Sequence, residues 1–195
     1  MNQLKNNLKE LLQRSSKHCN YQVLPTSLRN FVDIEDLAIN SRYEVERLEY
    51  LLKHIDPRGK SILDIGGNTG YFSFELLEKG ASKVIFYEGN NAHADFVTEA
   101  SKLIAKENLI DVQNEYFQFS KEQYRIQTDI VLLLNVLHHI GDDFGDKDIS
   151  ISNAKENIIK NLNFFSEYCE IMVFQLGFNW KGNSNYPLFS GGSKG

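Results

Sequence analysis

Residues 61–91 limit the fold of this chain more than any other segment does. In order, they read as an apolar strand, a glycine-rich turn, a helix, a second apolar strand and an acidic residue. Glycine adopts positive φ values without strain and lets a ligand approach the backbone closely, which suits the first turn to binding. The whole segment is typical of one half of a nucleotide-binding α/β domain.

Strand-like and helix-like segments alternate from residue 61 onward. The strand-like runs are residues 61–65, 83–87, 112–117, 129–134 and 170–175. The helix-like segments between them are residues 71–79, 92–106, a short piece near 121–124, and 154–165. This alternation predicts a Rossmann-like, three-layer α/β/α sandwich with a mostly parallel sheet in the strand order 3-2-1-4-5. The unbroken apolar runs ILDI, VIFY and IVLLL indicate strands that are buried on both faces.

Two further helices are predicted before the first strand. Leucines at positions 4, 8, 11 and 12 recur at helical spacing, and a second apolar stripe runs through residues 41–54 until the sequence DPRG ends it. We therefore predict an N-terminal helical extension, residues 1–40, followed by the main domain, residues 41–195. The first helix is interpreted as packing on that domain, with a partner-binding helix as the alternative.

Composition and charge argue against several classes of protein. A chain of 195 residues with a formal net charge of −5 offers no broad basic face for nonspecific nucleic-acid binding. The N-terminus lacks the apolar core of a signal peptide, and no apolar run approaches the roughly 18 residues that span a bilayer. The sequence therefore predicts a cytoplasmic protein that does not enter membranes.

Three kinds of ligand compete for the glycine-rich turn. An ATP-binding P-loop requires a lysine after its last glycine, and no lysine follows Gly70. A dinucleotide fingerprint requires GxGxxG, which these glycines match poorly, and it places a pyrophosphate where Asp64 is unhelpful. S-adenosylmethionine carries no phosphate and has an ammonium group that suits Asp64, while Glu88 after the second strand can accept both ribose hydroxyls. The alternative is a tight strand–helix turn without a ligand.

This segment resembles motif I and the following acidic motif of the class I S-adenosylmethionine-dependent methyltransferases. Their pattern is an acid, any residue, then Gly-x-Gly-x-Gly, and here Asn68 stands at the middle glycine. The resemblance extends over about residues 41–177. It implies a methyltransferase that uses S-adenosylmethionine. The cofactor-binding residues that it implies are Asp64, Gly66, Gly67, Asn68, Gly70, Glu88, Gly89, Phe117 and Asn135.

A second group of polar residues follows the fourth strand-like run, in the sequence DIVLLLNVLHHIGDDF at 129–144. It resembles the fourth-strand region of the same family, and Asn135 is expected to face the methionine part of the cofactor. His139 or His138 is the candidate catalytic base that removes a proton from the acceptor. The alternatives are packing of the histidines, or a metal site with Asp142, Asp143, Asp146 and Asp148. We expect no metal, because adjacent histidines rarely point at one ion and the acids match no EF-hand spacing.

Two pairs of residues each have two possible roles. Tyr116 and Phe117 follow the third strand-like run, where this family usually contacts adenine, so they either stack on adenine or pack in the core. Arg42 and Arg47 are interpreted as solvated helix residues. The alternative for both arginines is contact with an acidic substrate or with the cofactor carboxylate.

After the fifth strand-like run, the sequence predicts a loop instead of further strands. This loop is placed to roof a substrate cleft through Trp180, Lys181, Asn183 and Asn185, or it is an ordered surface loop. The family normally adds a β6–β7 hairpin, which is not predicted here, so we expect a C-terminally truncated domain or an open sheet edge. An open edge favours a homodimer. Residues 190–195 are predicted to be flexible.

The methyl acceptor is left open by the sequence. An oxygen or nitrogen acceptor on a small molecule or glycan is favoured by the acidic charge balance. The segment SRYEVERLEYLL at 41–52, together with VLHH, is similar to enzymes that modify the wobble uridine of transfer RNA, so a tRNA-modifying enzyme is an alternative. The remaining alternatives are a non-catalytic or incomplete cofactor-binding domain and an NAD-dependent oxidoreductase.

Overall fold

The computed structural model describes residues 2–14, 22–31, 41–123 and 127–189. Its strands are β1 Ser61–Ile65, β2 Lys83–Tyr87, β3 Ile110–Gln113, β4 Thr128–Leu134 and β5 Cys169–Gln175. They form one sheet in the order β3-β2-β1-β4-β5, and every neighbouring pair is parallel. The predicted strand order and the parallel direction of the sheet are confirmed.

Helices cover both faces of this sheet. Those in the described residues are α1 Asn2–Gln13, α2 Glu44–His54, α3 Tyr71–Glu78, α4 Asn91–Leu103 and α5 Ile151–Phe164. Successive side chains of a strand point to opposite faces, so Ile62 of β1 joins one core with α1, α2, α3 and α4, whereas Leu63 joins a second core with α5. This is the predicted three-layer α/β/α sandwich.

The first helix packs as its amphipathic pattern predicts. Leu8 and Leu11 are buried in the same core as one face of the sheet, and α1 lies against α4. Leu24 and Leu28 of the next described segment are buried there too. The N-terminal helix therefore contributes to the main core, and the domain boundary after residue 40 stays a prediction.

The third strand begins and ends earlier than predicted, at Ile110 and Gln113 in place of residues 112 and 117. β3 pairs with β2 from Val84↔Ile110 to Tyr87↔Gln113, so its hydrogen-bonded ladder stops where β2 stops. Phe117 lies beyond the end of the strand and is buried there, so its apolar side chain does not indicate a longer strand. The short helix predicted near 121–124 is a turn at residues 121–123. Residue 124 and the predicted flexible tail at 190–195 lie outside the described residues.

β5 forms one edge of the sheet, because within the described residues its only strand partner is β4. The chain after β5 makes an isolated antiparallel bridge between Asn179 and Pro187 and adds no strand to the sheet in the part that the structure describes.

None of the described helices is long and apolar enough to cross a membrane.

Candidate functional site

The carboxyl ends of β1, β2 and β4 open into a cavity of about 560 Å³. Parallel strands end at one edge of the sheet, so the residues that follow them meet there. Of the site residues predicted from the sequence, those that line the cavity are Asp64, Gly66, Gly67, Asn68, Glu88, Gly89, Phe117, Asn135, His138 and His139. Gly70 does not line it, because it immediately precedes α3 and faces Val97 and Phe74 of the core.

The turn after β1 combines close packing with left-handed backbone. A side chain at Gly67 would overlap the Phe86 ring and crowd the Asp64 carboxylate, so this position requires glycine. Gly66 has a φ of 66° and Asn68 has a φ of 55°. Asparagine tolerates this left-handed region better than most residues with a side chain, which explains how Asn68 replaces the middle glycine of the motif.

Glu88 follows β2 and joins two walls of the cavity. Its Oε2 accepts a hydrogen bond from the Asn68 backbone N–H at 2.9 Å, and its Oε1 accepts one from the Asn90 backbone N–H at 2.8 Å. The residue is buried, so these bonds hold the carboxylate in one orientation. Each carboxylate oxygen can accept more than one hydrogen bond, and an oriented carboxylate is therefore suited to ligand hydroxyls as well.

Asp64 is buried at the end of β1 and reaches the start of α3. Its Oδ2 accepts a hydrogen bond from the Ser73 hydroxyl at 2.6 Å. Burial raises the pKa of the Asp64 carboxyl to about 6, although the Ser73 hydrogen bond and the charge of Arg47 act in the opposite direction. A cationic ligand group beside this carboxyl would favour its ionised form.

Arg47 is a cavity residue that the sequence interpretation had placed in solvent, and that interpretation is wrong. The side chain is half-buried, and its guanidinium carbon lies 5.0 Å from the centre of the Phe72 ring. Burial lowers the pKa of Arg47, while the charges of Glu44 and Asp64 raise it. The helical spacing of the sequence could have predicted that Arg47 faces inward, because Arg47 lies one turn before Leu51 on the buried stripe of α2.

Asn135 follows β4 with a φ of 61°. Its backbone N–H donates to the Gln175 carbonyl oxygen at 2.8 Å, and its side-chain amide donates to Gln175 Oε1 at 3.3 Å. These bonds tie the ends of β4 and β5 together and hold Asn135 in the cavity wall. The predicted contact between Asn135 and the methionine part of the cofactor stays a prediction.

His138 and His139 lie on a short 3-10 turn after β4, with ring centres 4.0 Å apart. His138 is buried and packs so closely on Gly177 that a side chain there would lie 2.7 Å from three of its ring atoms. His139 is partly exposed, and its Nδ1 lies 3.3 Å from Asp143 Oδ2 and 3.9 Å from Asp142 Oδ2. Packing thus accounts for the position of His138, and His139 is the stronger candidate base.

The same acidic side chains raise the question of a metal. His139, Asp142 and Asp143 offer ligand atoms that all lie within 4.8 Å of one another. Asp146 and Asp148, which the sequence placed in the same candidate set, do not join this group in the described part of the chain. The expectation that the protein binds no metal stays a prediction.

The aromatic residues after β3 divide between the core and the cavity surface. Phe117 meets Tyr87 edge-on at 5.0 Å and stacks on Phe165 at 5.8 Å between ring centres. Tyr116 is 41% exposed and covers Gly89, where a side chain would overlap the tyrosine ring. Core packing accounts for the ring contacts of Phe117, although both aromatics line the cavity, and an adenine contact stays a prediction.

The loop after β5 lines the cavity, but not through the residues expected from the sequence. Trp180 is buried, and its indole N–H donates to the Ile140 carbonyl oxygen at 2.8 Å. Trp180 therefore anchors the loop to the segment that follows the histidines. The cavity surface is formed by the neighbouring residues Gly177, Phe178, Asn179 and Gly182.

The family model described as "Methyltransferase domain" matches residues 36–166. The chain therefore belongs to this family, within the class I S-adenosylmethionine-dependent methyltransferases, enzymes whose methyl donor is S-adenosylmethionine. The residues present fit that cofactor, since two buried carboxyl groups line the cavity, those of Asp64 and Glu88, and they suit its ammonium and hydroxyl groups.

Two relatives illustrate the range of similar proteins. The chain is 27% identical over 111 residues to a tRNA U34 carboxymethyltransferase of Sulfurovum sp. (strain NBC37-1). This alignment covers 56% of this chain and 36% of the relative. It is 26% identical over 157 residues to a ubiquinone biosynthesis O-methyltransferase of Neisseria meningitidis serogroup C (strain 053442). This second alignment covers 73% of this chain and 63% of the relative. The matches thus span less than two thirds of either relative.

Solved structures show the same fold. The bifunctional kinase-methyltransferase WbdD superposes with a TM-score of 0.57 at 16% identity, over 86% of this chain and 35% of that chain. A structure of monomeric WbdD gives a TM-score of 0.61 at 14% identity, over 86% of this chain and 38% of that chain. At these identities the similarity establishes the fold alone.

Proposed function

We propose that this chain transfers a methyl group from S-adenosylmethionine to an oxygen or nitrogen acceptor on a small molecule or glycan. One observation carries the proposal: Asp64, Glu88 and His139 lie far apart in sequence and line the same cavity. The two acids suit the cationic and hydroxyl groups of the cofactor. The imidazole suits removal of a proton from the acceptor.

Three side chains are proposed to hold the cofactor. Glu88 accepts hydrogen bonds from the ribose hydroxyls, Asp64 faces the ammonium group, and Arg47 faces the carboxylate of the amino-acid end. When bound, the cofactor supplies a methyl group on an already activated sulfonium. The remaining tasks of the protein are to align the acceptor, exclude water and accept a proton.

The proposed class of acceptor follows from the charge of the protein and of the cavity. The net charge is −5, and the histidine end of the cavity carries Asp143 beside Phe144 and Phe178. This surface suits a neutral or weakly charged acceptor better than a polyanion. A tRNA-modifying enzyme remains the second candidate, because the chain is similar to tRNA U34 carboxymethyltransferases. The cytoplasmic location stays a prediction.

The decisive experiment supplies S-adenosylmethionine with a radiolabelled methyl group to the purified protein and to separate RNA, glycan and metabolite fractions of a cell extract. Label is expected in the glycan or metabolite fraction. Label confined to RNA would support the tRNA alternative. Cofactor binding without label in any fraction would support a non-catalytic domain, and binding of a fluorescent nicotinamide cofactor in its place would support the oxidoreductase.

Removal of the Arg47 guanidinium is expected to affect only ligands that carry a carboxylate. The Arg47→Ala variant should bind S-adenosylhomocysteine about tenfold more weakly, because a charge-assisted hydrogen bond contributes roughly 1.5 kcal/mol. Binding of 5′-methylthioadenosine, which lacks the amino-acid end, should be unchanged. Calorimetric titration measures both affinities, and Arg58→Ala removes an equally charged but exposed side chain as the control. Equal losses for both ligands would contradict the carboxylate contact.

We also propose that the open edge at β5 pairs with a second copy of the chain. Phe174 on this strand is 40% exposed, and an unpaired strand edge is prone to intermolecular pairing. Light scattering should therefore report a dimer. Phe174→Lys should shift it to monomer, whereas Ile159→Lys, which charges a more exposed apolar residue of α5, should not. A wild-type monomer at all concentrations would rule the dimer out.

A further inference from the structure

We propose that Asp143 is a positioning residue that holds His139 ready to accept the proton of the methyl acceptor. The inference rests on the proposed function and deepens it. The side chains of His139 and Asp143 are 19% and 16% exposed, so the pair is largely shielded from water. Asp142, the neighbouring acid, is 37% exposed.

The distances select one of the two acids. His139 Nδ1 lies 3.3 Å from Asp143 Oδ2 and 3.9 Å from Asp142 Oδ2. The Nδ1 atom is itself buried, and its 3.3 Å contact with Asp143 does not have hydrogen-bond geometry, so the carboxylate acts on this nitrogen through its charge. The other ring nitrogen is Nε2. His139 also lines the cavity. This arrangement favours the neutral tautomer that carries its proton on Nδ1 beside the carboxylate and its lone pair on Nε2.

Hydrogen bonds fix the loop that carries His139 and Asp143. The Asp143 backbone N–H donates to the His139 carbonyl oxygen at 3.1 Å, so the two residues share one tight turn. The indole N–H of Trp180 donates to the Ile140 carbonyl oxygen between them. A base held this way needs little reorganisation when the acceptor binds, which is a requirement for efficient proton transfer.

The proton balance assigns a task to each residue. The acceptor oxygen or nitrogen forms a bond to the methyl carbon, and the carbon–sulfur bond breaks with its electron pair kept by sulfur. The acceptor proton moves to His139 Nε2. The imidazolium that results is stabilised by the Asp143 carboxylate next to Nδ1, and water removes the proton after the product leaves.

A metal ion is the competing use of the same atoms, because His139, Asp142 and Asp143 together offer three ligands. The two uses make different demands. A metal needs both acids, whereas the positioning role needs Asp143 alone. Asp142→Asn is therefore the matched control for Asp143→Asn, since it makes the same change one residue away.

The experiment combines nitrogen NMR of the histidine rings with the transfer assay. In neutral wild-type His139, we expect the proton on Nδ1. Asp143→Asn should shift it to Nε2 and lower methyl incorporation into the labelled extract fraction by about 100-fold or more, with an unchanged affinity for S-adenosylhomocysteine. Asp142→Asn should leave the tautomer unchanged and change incorporation less than about threefold, as expected for an exposed charge. Asp143→Glu should keep the Nδ1 proton.

Several results would overturn the inference. One is a wild-type His139 protonated on Nε2, which decides the matter even if the asparagine variant fails to fold. Another is equal loss of incorporation in both asparagine variants, together with loss in EDTA and recovery with added Mg²⁺ or Zn²⁺. If the tautomer follows Asp143 but no fraction is labelled, the pair is supported and the proposed function fails instead.

Discussion

Glu88→Ala is expected to weaken S-adenosylhomocysteine binding by about 100-fold or more, because two hydrogen bonds from ribose hydroxyls to a carboxylate contribute roughly 1.5 kcal/mol or more each. Calorimetric titration of wild type and variant measures this loss. Because Glu88 also accepts hydrogen bonds from the Asn68 and Asn90 backbone N–H groups, the variant is expected to lose some stability too. Urea unfolding of the free protein measures that second effect.

The controls separate the ribose contact from a general loosening of the turn. Glu115→Ala removes another carboxylate from the cavity lining, one that is exposed, and should change the affinity less than threefold, roughly the effect of an exposed charge. The loss in Glu88→Ala should be the same for 5′-methylthioadenosine, which keeps the ribose hydroxyls. Tight binding of S-adenosylhomocysteine by Glu88→Ala would refute the ribose assignment.

A strong pH dependence of binding is expected from Asp64. Burial raises its pKa to about 6 in the free protein, and the cofactor ammonium favours the ionised carboxylate. The affinity for S-adenosylhomocysteine should therefore fall by up to about tenfold for each pH unit below about 6. Asp64→Asn should bind about 10- to 100-fold more weakly at pH 8 and should lose this pH dependence. Titrations between pH 5 and pH 8 measure both effects.

The same carboxyl is expected to lower the stability of the free protein at high pH. A folded-state pKa above the ordinary value of 3.8 means that the stabilising contribution is present below about pH 4 and is lost as the pH rises through about 6. The shift of about two pKa units corresponds to about 3 kcal/mol. The Asp64→Asn variant without ligand should therefore be more stable than wild type at pH 8.

Two observations would contradict the role given to Asp64. One is a pH dependence that persists in Asp64→Asn, which would assign the titration to another group. The other is an equal pH dependence for 5′-methylthioadenosine, which has no ammonium group. A variant that is more stable without ligand but binds more weakly would show that the buried carboxyl is retained for binding, at a cost in stability.

The architecture of the sheet was predictable because its signals are local. Apolar runs, helical spacing and the glycines of the turn each act within a few residues, and they predicted β1 and β2 with the bounds that the structure has. The predicted β3 begins and ends too late in the chain, because the bounds of this strand depend on its neighbour. The pairing partner β2 stops at Tyr87, and nothing near Phe117 in sequence signals that limit.

The chain order alone determined that the ends of β1, β2 and β4 share one edge of the sheet, and hence that Glu88, Asn135 and His139 meet in one cavity. What each side chain does there was decided by tertiary contacts. The packing of α2 on Phe72 brings Arg47 into the cavity, and burial sets the pKa of Asp64. The contact with Asp143 distinguishes His139 from His138. Distances and burial between residues far apart in sequence depend on how whole elements pack, whereas the alternation of strands and helices along the chain and the chemistry of each turn depend on neighbouring residues.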